Sequence, residues 1–364
     1  MLTAAQLVII LAAAFSASWL FTWIVRATMR RAGIMDQPAE PRKLHRVPVA
    51  YEGGLALWLG CIVGTVVFAI MFPGCIFFSD QITGLIVGGS LIVALGAADD
   101  LMNLRPVIKL AAQLLIGLMM HHYGFRIERL SNPFGDQLTI WPYAGYVVTA
   151  LWYALLMNGF NMIDGMDGLA AGVAGISAVT LAAIAVELQQ PLAVALGVIT
   201  AGVCLGFLKF NFIPATIFMG DAGSLLLGFL LASISLLSSS KAPALVALIL
   251  PMLAVGLPLF ETGFAVVRRL AQGQHPFRAD KRHLHHRFLA MGFSEKRTVL
   301  TFYYITAYFG VTAYVLQRME AKATLALVAI IAVGMVVLVE NMRFMERSRR
   351  LADDRPDKDA SLAK

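Results

Sequence analysis

Apolar stretches of about 18–25 residues recur along this chain, and a stretch of that length with few charges crosses a bilayer as a helix. They predict spanning helices near residues 3–25, 53–73, 81–98, 106–123, 143–158, 169–186, 191–208, 222–240, 243–265, 298–317 and 323–341. Composition agrees: 59% of residues are hydrophobic and 14% charged, against about 25% charged in soluble domains. The expected fold is an all-α polytopic integral membrane protein with about 11 transmembrane helices. Residues 1–342 form a single transmembrane domain, and 343–364 a charged tail expected to be disordered.

The distribution of Lys and Arg sets the expected orientation. With alternating loops, 24 positive residues fall on one side and 5 on the other. The positive-inside rule then puts the N-terminus outside and the C-terminus in the cytoplasm. The net charge of +7 is read the same way, so nucleic acid is not an expected partner. Residues 1–25 carry no charge, and Arg26, Arg30 and Arg31 follow rather than precede the apolar stretch. A secretory signal has the opposite order, so a retained first helix is expected. Cys61, Cys75 and Cys204 form no CxxC pair and no disulfide framework; Cys61 and Cys204 are read as small core residues. Asn132-Pro133-Phe134-Gly135-Asp136 carries turn chemistry and suggests a short hairpin in the loop 124–142. Trp152 and Tyr153 are read as interfacial belt residues.

Polar clusters sit where apolar runs end, and this topology maps them to one face. Ionisable groups at membrane edges are costly and usually functional. Asp99-Asp100 closes the run 81–98. Adjacent helical residues point about 100° apart, so one carboxylate can face a metal and the other a reacting group. Two like charges this close call for a cation, and Lys109 is a candidate phosphate-binding cation. Asn158, Asn161, Asp164 and Asp167 recur every three residues, interleaved with Gly159, Gly165 and Gly168. On a helical turn that spacing stacks them on one side, offering amides and carboxylates to a nucleotide and a hard cation. Asp221 opens the run 222–240, where a helix dipole favours a carboxylate. Oxygen donors of this kind select Mg²⁺, with Mn²⁺ able to substitute, over Zn²⁺. The basic segment around Arg282, His283, His285 and His286 suits a diphosphate. Upstream, Arg42-Lys43-Leu44-His45 precedes Gly53-Gly54, whose lack of side chains permits close approach of a ligand.

In this order, Arg42-Lys43-x-His45, Asp99-Asp100, the Asn/Asp ladder, Met219-Gly220-Asp221-x-Gly223-Ser224 and His283-x-His285-His286 resemble the polyprenyl-phosphate N-acetylhexosamine-1-phosphate transferases. The resemblance runs from about Gly33 to Phe293. The segment His275-Pro276-Phe277-x-x-Asp280-x-x-His283-x-His285-His286 is most similar to the bacterial branch that uses UDP-N-acetylglucosamine; Glu261 stands where that branch carries Asp.

The resemblance implies a catalytic membrane domain at the cytoplasmic edge of the bacterial inner membrane. There N-acetylglucosamine 1-phosphate passes from UDP-N-acetylglucosamine to undecaprenyl phosphate, releasing UMP and starting a lipid-linked glycan such as O-antigen. A different UDP-N-acetylhexosamine is the alternative donor. It further implies that Asp221 binds Mg²⁺ with Asp100 as helper, and that Asp99 orients or deprotonates the lipid phosphate. Asn158, Asn161, Asp164 and Asp167 hold the nucleotide and support the metal. His283, His285, His286 and Arg282 grip the diphosphate, with Lys43 and Lys109 as further phosphate contacts. The expected partners are the UDP-sugar, the polyprenyl phosphate, the membrane and a second copy of the chain. The competing class is a secondary transporter of an anionic solute, which places its site near the midplane and often carries inverted repeats; neither feature is visible here.

Overall fold

The computed structural model describes residues 2–36, 48–127, 129–130, 138–139, 141–239, 288–289 and 291–319, and eight residues between 323 and 334. Within them the long helices are α1 (Ala4–Ala32), α2 (Gly53–Met71), α3 (Ser79–Met102), α4 (Pro106–His122), α5 (Pro142–Ile163), α6 (Leu169–Glu187), α7 (Pro191–Asn211), α8 (Gly220–Ser239) and α9 (Glu295–Leu316). Eight of these are long and apolar enough to cross a membrane; α4, with 17 residues, is the short one. The span expected at 243–265 lies outside the described residues, and only pieces of 323–341 are described, all helical.

Local chemistry explains the helix starts. Thr3 accepts from the Gln6 amide while the Gln6 side chain answers the Thr3 amide, a reciprocal capping box. Pro106, Pro142 and Pro191 stand in the first turns of α4, α5 and α7, where a missing N–H costs nothing. Two small ladders interrupt the all-α expectation. β1 (Met35–Asp36) pairs antiparallel with β2 (Val49–Ala50). β3 (Arg129–Leu130) pairs with β4 (Leu138–Thr139), the hairpin expected from the Asn-Pro-Phe-Gly-Asp turn.

Successive helices alternate in direction. The C-terminal ends of α1, α3, α5 and α7 therefore meet the N-terminal ends of α2, α4, α6 and α8 at one end of the bundle. Arg26 of α1 reaches Thr216 before α8 (3.2 Å), and the Gly168 amide before α6 donates to Asn211 of α7 (3.1 Å). Small residues set the closest approaches. Gly54 of α2 and Gly96 of α3 both lie against the first turn of α8, at Ala222 and Gly223. In a bilayer such backbone proximity, with buried side-chain hydrogen bonds, holds helices together, since lipid tails are as apolar as the core.

Two of those bonds correct the expectation for Trp152 and Tyr153. Neither lies in an interfacial belt: both are buried. Trp152 donates to Ser235 (2.9 Å) and the Tyr153 hydroxyl pairs with Ser233 (2.8 Å), tying α5 to α8. An aromatic with a polar tip suits an interface or a satisfied core position equally well, and composition alone does not separate the two. Cys61 and Cys204 are buried and unpaired, as expected.

Candidate active site

The first turn of α8 is the hub of the polar cluster, and three other helices are built around it. α3 runs four residues beyond the apolar run 81–98, so Asp99 and Asp100 lie on the helix itself. Asp100 turns toward α8: its two carboxylate oxygens accept from the Asp221 amide (3.0 Å) and the Ala222 amide (3.3 Å). It thus caps α8 from a neighbouring helix, satisfying amides that have no partner within their own helix. Gly220 makes this possible. Its φ is +68°, and a Cβ there would stand 2.4 Å from Asp100 Oδ2.

Asp99 faces the other way. Its Oδ1 accepts from the Leu104 amide (2.8 Å), and its Oδ2 receives Lys109 Nζ (2.8 Å). The same ammonium is paired with Asp221 Oδ2. Lys109, expected as a phosphate contact, therefore bridges two carboxylates in this state. Asn161 completes the hub by donating to Asp221 Oδ1 (2.7 Å) and to Ser224 (3.0 Å).

The Asn/Asp ladder is not one helical stack, because α5 continues to Ile163 and ends there. Asn158 and Asn161 are on the helix, Asp164 is its C-cap, and Asp167 sits in the turn that follows. The four residues divide their duties accordingly. Asn161 joins the hub. Asn158 donates to Gln113 of α4 (2.5 Å) and to the Ala154 carbonyl (2.7 Å). One oxygen of Asp167 accepts from the Ala215 amide (2.7 Å) and so anchors the segment leading into α8. Asp164 looks onto the acids. Burial, then the charges of Asp221, Asp100 and Asp167, push its carboxyl up to about 8, which favours its neutral form. Lys43, Arg282, His283, His285 and His286 lie outside the described residues.

The donor set can be tested for a metal. Among the described residues no three histidine, cysteine or acidic side chains are grouped closely enough to hold a metal ion by themselves. Asp99 Oδ2 and Asp221 Oδ2 nonetheless converge on one point of positive charge, the Lys109 ammonium. Mg²⁺ is commonly held by one or two carboxylates, with water and substrate phosphate as its other ligands. Two convergent carboxylate oxygens fit that pattern.

Three further residues of this site belong to no motif in the sequence. Gln113 is a lone amide in an apolar run. The Tyr51 ring lies against Gly220, and its phenol is raised by burial and then by Asp100, Asp221, Asp164 and Asp36. Glu52 stands before α2 with φ +69° and ψ +29°, a region costly for a residue with a Cβ. It is the N-cap residue, but its side chain makes no capping bond: the Gly53 and Gly54 amides already donate to the Phe218 and Met219 carbonyls, both at 2.9 Å. Its Oε1 is buried without a partner, and burial, then Asp100, pushes its carboxyl up to about 7. An acid whose pKa is higher folded than unfolded binds more protons in the native state. Its contribution to stability therefore falls as pH rises from the ordinary carboxylate range through about 7. Glu52→Gly removes both penalties and is expected to raise the melting temperature in detergent, by more at pH 8 than at pH 5. An equal or lower melting temperature at pH 8 would refute this account.

Comparison with known proteins returns one family and a consistent set of relatives. Residues 82–239 match the model of glycosyl transferase family 4. The chain is 34% identical over 321 residues to a Bacillus subtilis protein named "probable undecaprenyl-phosphate N-acetylglucosaminyl 1-phosphate transferase", with 88% of each chain covered. It is 34% identical over 347 residues to the decaprenyl-phosphate N-acetylglucosaminephosphotransferase of Mycobacterium tuberculosis, covering 88% of this chain and 85% of that one. The undecaprenyl-phosphate alpha-N-acetylglucosaminyl 1-phosphate transferase of Escherichia coli K12 is 28% identical over 292 residues, covering 76% and 75%.

Proposed function

The chain belongs to the polyprenyl-phosphate N-acetylglucosamine-1-phosphate transferases of glycosyl transferase family 4, and from that membership we propose its particular reaction. It transfers N-acetylglucosamine 1-phosphate from UDP-N-acetylglucosamine to undecaprenyl phosphate, releases UMP, and starts a lipid-linked surface glycan. The polar end of the bundle faces the cytoplasm, following the asymmetry of Lys and Arg.

The observation that carries this reading is the hub at Asp221, where α3, α4 and α5 deliver Asp99, Lys109 and Asn161 to the first turn of α8. Phosphoryl transfer asks a protein for positioning and charge compensation more than for covalent chemistry. Lipid phosphate is already anionic at neutral pH, so no strong base is needed to make it a nucleophile. Mg²⁺ held by Asp221 and Asp99 would supply charge neutralisation at the diphosphate. Lys109, which stands between those carboxylates, would meet a phosphate oxygen, the role expected of it from sequence. Asn161 fixes the Asp221 carboxylate, and Asp100 holds the helix that carries it. Asp164, beside these acids, would support the metal or accept from the nucleotide. The bundle end is where a water-soluble nucleotide and a membrane lipid can meet.

The test is UMP release by purified protein given undecaprenyl phosphate, Mg²⁺ and a panel of UDP-N-acetylhexosamines one at a time. Release that needs both lipid phosphate and Mg²⁺, and is fastest with UDP-N-acetylglucosamine, is the expected result. Faster release with another hexosamine overturns the donor assignment. No release from folded protein with any donor overturns the reaction and restores transport as the reading of these acids.

A further inference from the structure

We infer that Gln113 binds the phosphate of the lipid acceptor, through the side-chain N–H that the protein itself leaves without a partner. Gln113 is fully buried on α4. Its Oε1 accepts from Asn158 Nδ2 at 2.5 Å, while its Nε2 has no hydrogen-bond partner. Exchanging the two ends of the amide does not relieve this. It would set Nε2 against the Asn158 amino group, which is itself fixed as a donor by the Ala154 carbonyl (2.7 Å). A buried donor with no acceptor costs free energy that folding does not return, and such groups are rare enough in native proteins to call for an explanation.

Position indicates which acceptor would satisfy it. Lys109 and Gln113 are four residues apart on α4, and Asn161 and Asn158 three apart on the antiparallel α5, so the pairs form two layers. The outer layer is charged: Lys109, Asp99, Asp221 and Asn161. The inner layer, Gln113 with Asn158, is neutral and lies about one helical turn, roughly 5 Å, further from the polar end and deeper in the apolar slab. A nucleotide diphosphate enters from the polar end and meets the outer layer first. A lipid phosphate arrives from within the bilayer, at the depth of the inner layer. A neutral amide suits it there, because it stabilises a phosphate oxygen at depth without the desolvation cost of a second buried cation.

This inference rests on the proposed transferase reaction, and its test separates the two. Undecaprenyl phosphate and UDP-N-acetylglucosamine are titrated independently with wild type, Gln113→Leu and Gln113→Glu, reading UMP release and melting temperature. Glu keeps an oxygen acceptor for Asn158 and replaces the N–H donor with a second carboxyl oxygen. Both variants are expected to raise KM for the lipid phosphate at least about tenfold, with KM for the UDP-sugar within about twofold. If Gln113 merely supports Asn158 or holds a structural water, Gln113→Glu leaves the lipid KM unchanged, or both KM values rise together; either result overturns the inference. Absence of UMP release by wild type would instead overturn the reaction itself.

Discussion

Asp221→Asn is expected to lower turnover by on the order of 10³-fold while the bundle stays folded. The substitution is nearly isosteric, and the features that position residue 221 do not depend on its charge. Its backbone amide is held by Asp100 Oδ1 at 3.0 Å, and its side-chain carbonyl can still accept from Asn161. What changes is the second atom of the group. Asp221 Oδ2, an anionic acceptor paired with Lys109, becomes an amino group facing an ammonium. The charge that would hold Mg²⁺ with Asp99 is halved, and Lys109 is left to Asp99 alone. UMP release at saturating substrates, with melting temperature as control, checks this. A folded variant within tenfold of wild-type turnover would remove Asp221 from the centre of the chemistry.

What could be read from sequence follows from which constraint acted on it. The bilayer demands about 20 apolar residues per helix, so the positions of α1, α2, α6, α7 and α8 were visible as composition. Charges at membrane edges are costly, which exposed Asp99, Asp100, Asp164, Asp167, Asp221 and Lys109 as candidates. Pairing was not visible. α3 and α5 end four or five residues later than their apolar runs, since polar residues continue a helix readily when a neighbour satisfies them. That extension placed Asp99 and Asp100 on α3 and split the ladder between a helix, its cap and a turn. Gln113 looks like an isolated polar residue until Lys109, Gln113 and Gly117 are seen as one face of α4. That i, i+4, i+8 spacing was the available signal. Glu52 offered none, because a left-handed backbone at a non-glycine residue is set by the packing of Gly53 and Gly54 on the segment Phe218–Met219, which is distant in sequence.

Gly96→Ala tests whether catalysis depends on that packing rather than on the acids alone. Gly96 lies on α3 one turn before Asp100, at the closest crossing with α8. A Cβ built there would stand 2.3 Å from the Ala222 backbone nitrogen and Cα, and 2.6 Å from the Asp221 carbonyl carbon. These are backbone atoms, so no side chain can swing aside, and overpacking of this kind is relieved only by separating the helices. Separation by about an ångström draws Asp100 away from the amides it caps and Asp99 away from Lys109, which must still reach Asp221. Misplacement on that scale costs about 10²-fold in rate, although no polar group has been removed. The expected result is a fall in kcat of that order with a lower melting temperature. Gly96→Ser should behave at least as badly, being larger at the same contact; helix propensity predicts the opposite for both variants, since alanine and serine are better helix formers than glycine. Wild-type kcat in Gly96→Ala would mean that α3 and α8 yield at their crossing without disturbing the hub, and that the acids are positioned by their hydrogen bonds alone.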